Sequence, residues 1–451
     1  MDTPAEPPVA PPAVTAVDAA PSRADPLPLR WLMVDMNSYF AAVEQQFRPE
    51  LRGRPVGVLP VETEHTCCIA ASAEAKAHGV KTGTRVPDAR RLCPGITLVK
   101  ARPDFYVKVH RDILAAVDTE APIHEVVSID EFTVRLGRGQ RDDASAAALA
   151  KRIKRAIAGG VGERLRCSVG IAPTVLLAKI ASNLEKPDGL TVLHARDVTE
   201  RLADWKLTDL TGVSHGMAAR LHRAGVHDVP ALWNLSPADA RRIWGGEPGL
   251  RYWYALHGHD CPPAATHRHS LGHGHVLPGN LRNPRDARGV MVRLLHKAAH
   301  RLRHEGYVAH RLVASIRYEP PRHPQRAGSD RRGEAGAVWH DEIALPGCRD
   351  TLTIVQHFAR LWDRRPPGFC SDHIGRPKKV SVTLTGLEPH ASATGSLFQP
   401  QAHRDRLGDV FDRVNTRFGP HMLHLAAMHH TRHAMDDKIA FGRVPDEACP
   451  M

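Results

Sequence analysis

The apolar run Trp31-Leu32-Met33-Val34 ends on a carboxylate, Asp35, and this junction most limits how the chain can fold. An apolar tetrad bounded by polar sequence predicts a buried strand. A carboxylate at the end of such a strand is costly unless it meets a metal or a basic side chain. The same conflict recurs at Asp130-Glu131, an acidic pair between strand candidates at 123–127 and 132–136. Acids so placed suit magnesium, which takes oxygen ligands and keeps waters and phosphates in its shell. By spacing alone a simpler reading stays open: Asp35 caps the helix after it, and Asp130-Glu131 make a polar turn.

The 451 residues have room for two to four domains. Residues 1–27, rich in Pro and Ala, predict a disordered leader. Strand and helix signals then mix without strict alternation to about residue 195, which predicts an α+β domain rather than a doubly wound sheet. Residues 196–260 carry short helical patterns and almost no strand signal. Within them, Thr211 to Leu221 is similar to a helix-hairpin-helix, in which Gly212 and Gly216 let backbone N–H groups approach a phosphate. Ser214 stands where a second glycine is usual, and a plain helical hairpin is the alternative. Residues 266–386 predict a β-α-β-β-α-β unit. Its first helix, 284–305, has an apolar stripe of Val292, Leu295, Ala299 and Leu302 dressed by Arg293, Lys297, Arg301 and Arg303. Residues 387–451 read as a tail with one helix, at 405–418, and no further core.

A net charge of +12 favours a polyanionic partner, nucleic acid being the commonest. No apolar run approaches the roughly 20 residues needed to cross a bilayer, and the N-terminus lacks a signal pattern. A cytoplasmic protein with no membrane partner is expected. Eight scattered cysteines without a CxxC pair argue against a disulfide framework or structural zinc. The 29 histidines, grouped near 267–275 and 421–433, lack interleaved cysteine or carboxylate ligands and read as compositional.

Val34-Asp35-Met36-Asn37-Ser38-Tyr39-Phe40-Ala41-Ala42-Val43-Glu44 resembles the opening catalytic motif of the Y-family translesion DNA polymerases, the DinB/UmuC group. Ser128-Ile129-Asp130-Glu131 matches that family's second acidic motif. Ser168 to Pro173, Leu177 to Asn183 and Lys186-Pro187-Asp188-Gly189 resemble its third block. With the helical region and the βαββαβ unit, the resemblance covers about residues 28–386.

The resemblance implies a right-hand polymerase that copies damaged templates by two-magnesium nucleotidyl transfer from a dNTP to a primer 3′-OH. Its palm would comprise 28–46 and 105–195, its small fingers 47–104, its helical thumb 196–260 and its little finger 266–386. Asp35, Asp130 and Glu131 would hold two Mg2+ ions, with the Met36 carbonyl as a main-chain ligand. Phe40 would be the steric gate against a ribose 2′-OH, and Tyr39 would lie beside the incoming nucleotide. Lys76 and Lys186 would meet the triphosphate. Primer-template DNA would be gripped by the thumb hairpin and the little finger. Small side chains at Ala70, Ala71 and Ala73 would leave the nascent pair loosely enclosed.

Asn37, Ala73 and Lys76 depart from the commoner DinB pattern toward UmuC, which brings in a UmuD-like accessory protein as a candidate partner. Gly395-Ser396-Leu397-Phe398 resembles a degraded sliding-clamp-binding peptide ending in Leu397-Phe398. The setting implied is the bacterial cytoplasm, at the nucleoid when acting. A non-catalytic family member serving as a DNA- or clamp-binding scaffold is the rival, although such proteins tend to lose the acids kept here.

Overall fold

The computed structural model describes residues 27–64, 66–261, 268–319, 337–366, 375–394, 401–419 and 421–432. The chain divides into two compact units, Met1–Pro262 and Pro263–Met451. No helix among the described residues is long and apolar enough to cross a membrane.

The first unit is built on a five-stranded sheet. β1 (Trp31–Met36) is its centre, flanked on one side by β6 (Glu131–Arg135) and β5 (Ile123–Val126), and on the other by β7 (Cys167–Ala172) and β8 (Leu190–Val192). β1 runs antiparallel to both neighbours, and all six of its residues are buried. Covered on both faces, it needs a continuous apolar run, which is what Trp31–Val34 supplies. α6 (Val175–Leu184) lies on β7 and β1, with Thr174 Oγ1 accepting the Leu177 N–H as its N-cap. Gly170 makes this close approach possible, since a Cβ there would strike the Ala178 carbonyl and the Ser182 amide. α4 (Pro103–Asp118) and α5 (Asp143–Gly160) pack together and complete the layer.

After α1 (Tyr39–Phe47) the chain enters a small sheet of β2 (Val56–Leu59), β3 (Ala70–Ala71) and β4 (Thr97–Lys100), with α2 (Ala73–Ala77) and α3 (Val86–Leu92). β3 is only two residues long, and Cys67 before it makes an isolated bridge to Arg85. Ala70 and Ala71 are buried in this sheet and its core, so of the three small residues only Ala73 is exposed. Five short helices follow: α7 (Val198–Arg201), α8 (His215–Arg223), α9 (Val229–Trp233), α10 (Pro237–Trp244) and α11 (Glu247–Leu256). Leu202, Leu221, Val229 and Leu256 share one apolar cluster with Trp31, Met33, Leu177 and Ile180. The helical region is therefore fused to the five-stranded sheet, each buried leucine contributing about 1.5–3 kcal/mol.

The second unit has the expected β-α-β-β-α-β order: β9 (Ser270–Val276), α12 (Pro284–His304), β10 (Tyr307–Tyr318), β11 (Val338–Cys348), α13 (Thr351–Asp363) and β12 (Pro377–Pro389). The sheet order is β11-β10-β12-β9, all antiparallel. Leu312, Ala314 and Ile316 alternate inward with Val380, Val382 and Leu384, against Leu295, Leu302 and Phe358. The partner positions Arg311, Ser315, Arg317, Lys379, Ser381 and Thr383 fall on the opposite face.

One expectation is corrected here. The tail expected from residue 387 packs onto this unit: α14 (Gln401–Phe418) docks on it, and Met428 is fully buried in its core. Thr431 rests on Gly289 of α12. The arginines expected to dress the outside of α12 are in part spent on this docking. Arg303 is buried and makes two 2.7 Å hydrogen bonds to Asp412, and Arg293 is buried facing His421. A buried guanidinium needs a carboxylate partner, and the C-terminal segment provides it.

Candidate active site

The sheet register brings the acids together. Asp35 pairs across the β1–β6 ladder with Glu131, and the Met36 N–H donates to the Asp130 carbonyl at 2.8 Å. Asp130 sits in the turn before β6, with its carboxylate 2.6 Å from Ser128 Oγ. Burial raises the Asp130 pKa most, and the negative charges of Glu131 and Asp35 raise it further, against the Ser128 hydrogen bond. Three carboxylates thus share one field although 95 residues separate Asp35 from Asp130 in sequence. Asp35 does not cap α1. Ser38 occupies that position, in a left-handed conformation at φ 51°.

What neutralises Asp35 is lysine. Lys179 of α6 bridges Asp35 and Glu131, its Nζ lying 2.8 Å from Glu131 Oε1, while Lys186 Nζ lies 2.7 Å from Asp35 Oδ1. Burial, the largest single influence, pulls the Lys179 pKa down, but the two carboxylates outweigh it and leave the ammonium above its ordinary value. Sequence reasoning counted Lys186 and missed Lys179. The signal was its place in Leu177-Ala178-Lys179, one cation on an otherwise apolar helix face. Lys76 joins the same field: burial and the nearby Lys186 charge lower its pKa, and Asp35 opposes them.

Among the described residues no three His, Cys, Asp or Glu side chains are gathered into a ready metal-holding group. The donor set nevertheless suits a hard cation. It is all oxygen, and it already draws an ammonium between two of its carboxylates, as a site short of positive charge would.

Phe40 is buried and stacks on Tyr106 of α4, with ring centroids 4.6 Å apart and planes 21° apart. The Tyr106 hydroxyl donates to Glu44 Oε1 at 2.8 Å. Glu44 is fully buried, and Arg102 clamps it through hydrogen bonds of 3.0 and 2.9 Å. Tyr39 is also buried, its hydroxyl donating to the Tyr106 carbonyl at 2.7 Å. Burial and nearby acids, Asp130 first, raise its pKa far above the ordinary phenol range.

In the helical region Gly212 takes φ +89° in the hairpin, which favours glycine. Gly216 lies in the exposed first turn of α8, where Ser214 Oγ accepts the Met217 N–H. Ser214 is therefore the N-cap of the second helix, a role glycine fills less well. Leu397 and Phe398 lie outside the described residues.

Carboxylates at the end of β1 and the start of β6 in a mixed five-stranded sheet, with a small separate sheet and a helical region beside it, match the arrangement expected of a right-hand, template-copying polymerase. The model of the impB/mucB/samB family matches residues 34–183, and that of its C-terminal domain matches residues 268–397. DNA polymerase IV of Moorella thermoacetica is 33% identical over 403 residues, spanning 88% of this chain and 95% of the relative. DNA polymerase IV of Pelotomaculum thermopropionicum is 29% identical over 398 residues, spanning 87% and 93%. Among solved structures, the "Y-family DNA polymerase chimera Dbh-Dpo4(243-245)-Dbh" superposes with a TM-score of 0.59 at 22% identity, covering 79% of this chain and 99% of that one.

The chain belongs to the impB/mucB/samB family, the DinB-like Y-family DNA polymerases. It is a DNA-directed DNA polymerase of translesion synthesis, in a family that generally depends on divalent metal. The relatives side with DinB, against the lean toward UmuC drawn from Asn37, Ala73 and Lys76.

Proposed function

We propose that Asp35, Asp130 and Glu131, with the Met36 carbonyl, hold two magnesium ions that activate the primer 3′-OH and offset charge on the leaving pyrophosphate. The observation that carries this reading is that Asp35 and Glu131 lie opposite each other on β1 and β6 with Asp130 in their field, and that Lys179 and Lys186 are drawn to Asp35 and Glu131. Lys186 and Lys76 would turn to the triphosphate of the incoming nucleotide. A lysine at 76 is a point charge without the planar fork of arginine, so this grip is looser in geometry. Phe40 would present its edge to C2′ of the sugar, with Tyr39 behind it.

DNA contacts are assigned by the same reasoning. The hairpin at Gly212 and Gly216 would set backbone N–H groups against a phosphate. The open sheet face around Arg317, Lys379, Ser315 and Ser381 offers charge and small hydroxyls without bulk, which suits a sugar-phosphate backbone read without sequence. The palm, fingers, thumb and little-finger boundaries given above are part of this proposal. So are a sliding clamp met through Leu397-Phe398, a UmuD-like accessory protein, and action in the bacterial cytoplasm at the nucleoid.

The test is primer extension on undamaged and lesion-bearing templates with magnesium titrated in. Asp130→Ala should lose nucleotide addition and keep primer-template binding. Extension retained by that variant removes Asp130 from the metal site. DNA binding by the wild-type chain without any extension would favour the scaffold reading instead.

A further inference from the structure

We propose that Asn37 is a positioning residue that holds the turn carrying Lys186 against the acids. The inference deepens the reading of Lys186 as the triphosphate lysine and rests on it. Asn37 follows β1 directly, two residues after Asp35. Its side-chain amide donates to Ser168 Oγ at 3.0 Å, and its carbonyl accepts the Asp188 N–H at 2.7 Å. Ser168 Oγ in turn accepts the Gly189 N–H at 3.3 Å. One amide thus ties together the end of β1, the start of β7 and the turn after Lys186.

That turn requires holding. Asp188 stands at φ +60°, a conformation an aspartate tolerates only with support from its surroundings. Its carboxylate is gripped on one oxygen by Lys154 Nζ at 2.8 Å and on the other by Arg166 at 3.0 Å. Its backbone is gripped by Asn37. β1 and the residue after it therefore supply Asp35, which binds the Lys186 ammonium, and Asn37, which fixes the backbone from which Lys186 extends. If Asn37 merely filled a polar gap, its loss would lower stability and activity without distinguishing substrate binding from turnover. If it positions Lys186, its loss must fall on nucleotide affinity and on the lysine itself.

Asn37→Leu matches the volume and removes both hydrogen bonds. Asn37→Asp keeps both, because the Ser168 hydroxyl can rotate to donate to a carboxylate. In single-nucleotide insertion, Asn37→Leu should raise KM for the dNTP about tenfold with kcat changed by less than about threefold. Asn37→Asp should return KM to within about twofold of wild type. A second readout needs no catalysis: acylation of Lys186 by an amine-reactive ester, quantified by mass spectrometry on metal-free protein. Lys186 should label several-fold faster in Asn37→Leu than in the wild type or Asn37→Asp. Ser168→Ala, which removes the partner hydroxyl and is a gentler change, should shift labelling in the same direction. Unchanged Lys186 labelling in these variants, or a fall in kcat at constant KM, overturns the inference. A wild-type chain that extends no primer refutes the polymerase mechanism, whereas the labelling result decides the positioning role either way.

Discussion

Replacing Tyr106 tests how Phe40, the proposed sugar gate, is held. Phe40 has no covalent reason to keep one orientation; what backs it is the Tyr106 ring, stacked at 4.6 Å. Tyr106 is itself fixed by its hydroxyl on the fully buried Glu44, at 2.8 Å. Tyr106→Leu keeps apolar bulk but removes the stack, worth about 0.5–1.5 kcal/mol, and a hydrogen bond to a charged group, worth about 1.5–3 kcal/mol. The expected loss of stability is about 2–4.5 kcal/mol. Only the stack bears on Phe40, so discrimination against ribonucleotides should fall by about 2- to 12-fold, the same 0.5–1.5 kcal/mol expressed as a rate ratio. Tyr106→Phe separates the two effects: it should lose about 1.5–3 kcal/mol and leave sugar discrimination unchanged. The assay is the ratio of single-turnover insertion efficiencies for a dNTP and the matching rNTP, with urea unfolding run beside it. Phe40→Ala sets the scale, since it should abolish discrimination. If Tyr106→Leu discriminates like the wild type while Phe40→Ala does not, the stack is not what holds the gate. If Tyr106→Phe loosens selection as much as Tyr106→Leu, the Glu44 bond rather than the ring is responsible.

Three further outcomes are expected. Burial alone would raise the Asp412 pKa, but hydrogen bonds from Arg303 and His300 win and hold it at about 2 against an ordinary 3.8, which corresponds to about 2 kcal/mol. Because the folded value is depressed, that contribution is complete above about pH 4 and disappears as the pH falls toward 2. Asp412→Asn should therefore be destabilised at neutral pH and converge on the wild type in acid, with faster amide exchange in α14; a constant difference across that range would contradict the assignment. Gly170→Ala should cost several kcal/mol in urea unfolding, because its Cβ meets α6 backbone that cannot move aside; near wild-type stability would mean α6 is not so tightly seated. Lys179→Met should lower the melting temperature of metal-free protein, leaving Asp35 with Lys186 alone, and should enlarge the rise in melting temperature on adding magnesium. A smaller magnesium effect than in the wild type would show that Lys179 does not compete for the metal position.

Much of the five-stranded sheet was legible because local chemistry and tertiary role agree. Trp31 to Val34 is apolar throughout since β1 is covered on both faces, and the acids stand out against it. The β-α-β-β-α-β unit was readable for the same reason, its alternation matching a sheet with one covered face. Periodicity did not reveal α3 or β4, which lie in a small sheet with little apolar sequence to mark it. It also could not show which cations serve which acids.

Order of motifs and strand-end carboxylates thus pointed, from sequence alone, to a Y-family polymerase, with Asp35, Asp130 and Glu131 as its candidate acids. Tertiary structure decided the rest. Lys179 reaches Asp35 across 144 residues, Asn37 reaches Asp188 across 151, and Asp412 reaches Arg303 across 109. Each of these side chains looks locally like an ordinary polar residue on a helix or turn. What gives it a role is burial beside a group of complementary charge or hydrogen-bonding capacity, and that pairing comes into being only when distant segments pack.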